Sequence, residues 1–152
     1  MKGIMETLVI DTGEKRIAIN GNPDRVIVFN PSDVVFAEKF YALQLRLSEK
    51  NTELEIRAKS IDANKEVDAN GIPVNFTERA EFFHELHEYM CTEIDSVFGE
   101  GTSQKVFGDF VPPSSDVYEQ FFNGIKPFIS KARTEKIAQY TTTASAKRNK
   151  RK

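Results

Sequence analysis

Asn30-Pro31-Ser32-Asp33-Val34-Val35-Phe36-Ala37-Glu38-Lys39-Phe40-Tyr41-Ala42-Leu43-Gln44-Leu45-Arg46-Leu47 is where a chain that begins with strand character turns helical. Asn30 can cap a helix, and Pro31 suits its first position because the missing N–H would have been unpaired there anyway. Asp33 sets a carboxylate near the positive end of the helix dipole. Phe36, Phe40, Leu43 and Leu47 then recur at alternating spacings of four and three; Leu54 and Ile61 hold the register, while Lys50 and Arg57 interrupt it. The pattern predicts one helix to about Ala58. The interruptions favour a far half that projects or meets a partner over a sustained two-stranded coiled coil.

Upstream, Leu8-Val9-Ile10 and Arg16-Ile17-Ala18-Ile19 flank Asp11-Thr12-Gly13-Glu14, which reads as a hairpin with Gly13 supplying the positive φ of its turn. Arg25-Val26-Ile27-Val28-Phe29 follows a turn at Asn20-Gly21-Asn22-Pro23-Asp24 and reads as a third strand. Such a small sheet is marginal alone in water, so the helices must cover it.

Downstream, residues 62–76 are polar and hold Asn70-Gly71 and Pro73, the marks of a loop. Thr77 offers a cap for a second helix whose apolar stripe is Phe83, Leu86, Met90, Ile94 and Val97, with Gly99 placed to end it. Thr102 to Phe107 fits a short helical turn closed by Gly108, and Pro112-Pro113 forces an extended connection. A third helix is expected from about Ser115, softened by Gly124 and kinked by Pro127. Beyond Tyr140 the chain is small and polar, then basic: Lys147-Arg148-Asn149-Lys150-Arg151-Lys152 carries five positive charges. The expected architecture is α+β and mainly α. An amino-terminal β-hairpin or three-stranded meander (residues 1–29) is joined to a helical part (30–140) in one domain, with a disordered basic tail (141–152).

Composition narrows the function. The chain has 152 residues, 39% hydrophobic with 12 Phe, enough for a real core in one domain. A net charge of −2 favours neither nucleic acid nor an anionic membrane as main partner. Cys91 is the only cysteine, so an intrachain disulfide and a cysteine-based zinc site are both excluded, and a cytosolic home is the simplest reading. The apolar run at the amino terminus breaks at Glu6, too early for a signal segment, and no run approaches the roughly 20 residues of a membrane span.

Motifs that suggest chemistry fail on spacing. His84-Glu85-Leu86-His87 sets its histidines three apart, whereas a zinc-protease helix needs four; Glu81, His84 and Glu88 share a face of the kind solvated helices carry routinely. Asp62, Asn64 and Glu66 imitate the start of a calcium loop, but Val67 stands where its Gly is needed and Pro73 where its bidentate Glu should be. Gly99-Glu100-Gly101-Thr102-Ser103-Gln104-Lys105 follows a helix instead of a strand and lacks Gly-Lys-Ser/Thr, so it is a helix stop and restart, not a phosphate loop. Both histidines read as exposed, and no nucleophile is set beside them. The basic tail lacks interleaved aromatics for base stacking. No catalytic, metal or cofactor-binding residue is assigned. In the third helix, Phe121, Ile125 and Phe128 read as core. Phe122 and Ile129 fall off that stripe, so either the helix is covered on two sides within the fold or these two meet a partner.

Two patches, residues 30–41 and 98–136, within a span of 28–140, give the chain a wider likeness. It resembles the small tail assembly chaperones of long-tailed phages and prophages of Gram-positive bacteria. The resemblance implies a binding protein, not an enzyme: a cofactor-free escort that coats the helical tape-measure protein, helps recruit tail-tube subunits in the cytoplasm of the infected or lysogenic host, and is absent from the mature virion. A homo-oligomer and a longer form made by ribosomal frameshifting near the basic codons are compatible with it. A structural tail or connector protein retained in the particle is the alternative, and a nucleic-acid-binding regulator acting through the basic tail is the weaker one.

Overall fold

The computed structural model describes the backbone of residues 3–150, with side chains described through Glu135 and at Ile137. Two short strands, β1 (Lys15–Ala18) and β2 (Val26–Phe29), are followed by α1 (Val34–Asp62), α2 (Phe76–Phe98), α3 (Thr102–Phe107) and α4 (Asp116–Lys150). The fold is α+β and mainly helical, as its periodicities predict. The loop at 63–75 carries one isolated β-bridge between Val67 and Pro73, and the Asp68 carboxylate accepts from the backbone N–H groups of Asn70 and Ile72.

The sheet is a two-stranded hairpin, not a meander. β1 pairs antiparallel with β2, with Ile17 opposite Ile27 and Lys15 opposite Phe29. Side chains alternate across a strand, so Ile27 and Phe29 turn inward, 2% and 4% exposed, while Val28 turns out. The expected first strand, Leu8-Val9-Ile10, has no ladder partner. Its turn is used differently. Gly13, at φ +89°, donates to the Asp11 carboxylate, and the Asn30 amide donates to the Thr12 carbonyl, so the turn is tied to the α1 entry instead of closing a hairpin.

Asn30 is not the α1 cap. Its side-chain oxygen accepts from Ser32 N at 2.9 Å in a local turn that buries Pro31. The helix starts after Asp33, whose carboxylate accepts from Val35 N at 2.9 Å. α1 runs four residues past the expected Ala58 before Asn75 and Arg79 donate to the freed carbonyl of Ile61. Asn75, not Thr77, precedes α2.

The core lies between the hairpin, the first half of α1, α2 and α4. Phe98 is its hub, with ring centroids 5.2 Å from Phe36, 5.3 Å from Phe121, 5.8 Å from Phe29 and 6.2 Å from Phe40. Mostly edge-on rings interlock in this way because their quadrupoles favour tilted and T-shaped contacts. Phe82 takes the buried place expected of Phe83 on the α2 stripe, and Leu86, Met90, Ile94 and Val97 fall as predicted. Gly99 caps α2, and Gly108 caps α3.

α4 passes through Pro127 without ending, although that residue removes one backbone donor. Its backbone is helical as far as Lys150. Alanine, lysine and arginine favour helix, no Gly or Pro interrupts this part of the chain, and extending a formed helix avoids the cost of nucleation.

Candidate interaction surface

Phe122 and Ile129, the residues singled out for partner contact, are 5% and 0% exposed and belong to the core. Phe122 packs against Phe40 and Phe121, with ring centroids 6.2 and 5.4 Å away. Phe128, expected inside, is 39% exposed and only edges onto Phe29. The physical reason is that α4 is covered on two sides, which widens its buried arc and turns it away from the stripe that spacing alone suggests.

Exposed apolar surface lies elsewhere. Residues 3–14 form an arm without strand pairing, on which Leu8, Val9 and Ile10 are 83%, 91% and 69% exposed. The arm leads into a groove of about 420 Å³ between its own turn (Asp11, Gly13), the Pro31-Ser32 entry to α1 and the Pro127 to Glu135 stretch of α4. A smaller cavity of about 120 Å³ shares Ser32 and Ala132 with it and adds Val34 and Ile137, both exposed. Phe128 lines the larger groove, and Val34 and Ile137 line the smaller cavity. Lys15, Lys131, Glu14 and Glu135 set charges of both signs along the groove. The sequence signal was present in Leu8-Val9-Ile10, but it reads equally as a strand.

A second polar constellation sits inside the fold. His87, taken from the sequence as exposed, is half-buried: its Nδ1 lies 2.8 Å from the Tyr118 hydroxyl and its Nε2 3.4 Å from Cys91 Sγ. Either Tyr118 donates to Nδ1 and the neutral ring keeps its proton on Nε2, toward the sulfur, or Nδ1–H donates to the hydroxyl oxygen. Burial, then His84, holds the imidazole pKa below its usual value. Burial raises both the Cys91 thiol and the Tyr118 hydroxyl, so all three groups are kept neutral. An un-ionised thiol is a poor nucleophile, and the cluster packs as a hydrogen-bonded seam between α2 and α4. Among the described residues no group of three or more His, Cys, Asp or Glu side chains is placed to hold a metal ion. No helix there is long and apolar enough to cross a membrane.

One contact ties the hairpin to the helices. Arg25 donates from Nε to the Lys105 carbonyl at 2.7 Å and from Nη2 to the Val106 carbonyl, placing a cation on the negative end of α3. A separation of 80 residues hides this pairing from sequence reading.

No curated protein and no solved structure matches the chain. A family model described as a family of unknown function, DUF6673, matches residues 24–152. Because the match takes in β2 and all four helices, the chain belongs to the DUF6673 family.

Proposed function

We propose that this protein is a phage tail assembly chaperone. It is a binding protein, not an enzyme, which escorts the tape-measure protein in the host cytoplasm, helps recruit tail-tube subunits and leaves before the virion is complete. The resemblance of residues 28–140 supports this reading, and the observation that carries it is the exposed apolar arm at Leu8-Val9-Ile10 running into the groove beside Phe128. An extended apolar arm next to a groove can clasp an apolar helix, and groove walls of mixed charge keep such a complex soluble.

Co-expression tests it. Tape-measure fragments that aggregate alone should become soluble with the intact protein. A Leu8→Ser, Val9→Ser, Ile10→Ser triple variant should fold normally and lose this effect. Fragments equally insoluble with and without the intact protein would overturn the chaperone reading. Soluble fragments with the triple variant would keep the reading but remove the arm from it.

A further inference from the structure

We propose that the outer face of α1 is a docking surface for the cationic second half of α4 from another copy of this chain. Val34, Leu45 and Ile56 recur every eleven residues, a period of about 3.67 per turn that keeps them on one face of a helix. Tyr41 falls on the same line. These four are 58%, 64%, 67% and 52% exposed with α4 in place, and they lie opposite the buried Phe36, Phe40 and Leu43. The stripe spans 22 residues, about 33 Å at 1.5 Å per residue.

Charge on α1 is sorted around this stripe. Arg46 pairs with Glu93 at 2.8 Å, Arg57 pairs with Glu85, and Lys50 lies over the Tyr89 ring at 5.3 Å, so these cations are turned toward α2. The exposed carboxylates of Glu38, Glu49 and Glu53 flank one side of the stripe and that of Glu55 the other, at about 100° per residue, with Lys59 near its far end. Glu53 is shared with Lys50 at 3.1 Å. The result is an apolar track with acidic margins.

The chain itself supplies the complement. Residues 126–152 hold nine Lys or Arg and one acidic residue, Glu135. From Lys131 to Lys150, the helix covers about 30 Å, which matches the track in length. Packing α1 on α1 would instead set carboxylates against carboxylates. Because donor and acceptor surfaces differ, the contact is heterologous, and copies add head to tail.

Sedimentation velocity on the full chain tests this without any client. Species larger than a monomer should grow with protein concentration at about 0.05 M salt and weaken about tenfold at about 0.5 M, as expected where charge carries the contact. A track variant (Leu45→Asp, Ile56→Asp) and a tail variant (Lys147→Glu, Arg148→Glu, Lys150→Glu) should each be monomeric with unchanged circular dichroism. Mixed together they should form a one-to-one dimer, since each retains the surface the other lacks. A monomer at every concentration, self-association untouched by either variant, or a mixture that stays monomeric would each overturn the proposal.

Discussion

Replacing Phe122 by alanine removes a ring that is 5% exposed and packed against Phe40 and Phe121. The loss combines the transfer energy of the ring with the cavity left behind, about 3 to 5 kcal/mol for a buried Phe. A domain of this size is stable by only about 5 to 15 kcal/mol, so the variant should remain folded at room temperature with much of its margin gone. At about 2 to 4 °C per kcal/mol, its melting temperature should fall by roughly 6 to 20 °C. Urea unfolding followed by circular dichroism is the assay, and the slope against denaturant should stay constant while the midpoint drops. Ile137→Ala, at a side chain 66% exposed, is the control and should change stability by no more than about 0.5 kcal/mol. A Phe122→Ala loss below about 1 kcal/mol would refute the placement of this ring in the core and return it to the surface.

Arg25→Ala should cost about 2 kcal/mol, because charge-assisted hydrogen bonds to the last carbonyls of α3 disappear; unfolding midpoints check this, and Arg25→Lys should recover less than half. Gly13→Ala should destabilise by about 1 to 3 kcal/mol, since an added Cβ would sit 2.5 Å from Ser32 Oγ at a φ of +89°. His87 titrates below its usual 6.5 when folded, so its neutral form is the one that the fold holds. Its contribution is complete above pH 6.5 and is lost as pH falls through the lower folded value, whereas a His87→Gln variant should show a flatter stability profile over that range.

The parts of the fold legible in the sequence are those fixed by local rules. Phe36, Phe40, Leu43 and Leu47 mark the inner face of α1 by spacing, and Gly99 and Gly108 end their helices because only glycine meets the positive φ needed there without strain. What escaped was set by distant partners. Asn30 is a sound cap by type, but Thr12 and Ser32 engage its side chain, and capping passes to Asp33. Leu8-Val9-Ile10 has strand propensity without a strand to pair with, since propensity for sheet depends on the neighbour across the ladder. Phe122 and Phe128 exchange roles because a helix apolar on several sides carries no periodic mark of which side is covered. The groove joins residues 11–15, 31–32 and 127–135, and no local pattern announces that meeting.

Binding of the purified protein to a purified tape-measure segment, followed by titration calorimetry at several temperatures, tests the central claim most directly. The account predicts saturable binding with a negative heat-capacity change, the mark of apolar burial, and at least about tenfold weaker binding for the Leu8→Ser, Val9→Ser, Ile10→Ser variant. Absence of binding to every segment of the tape-measure protein would contradict it.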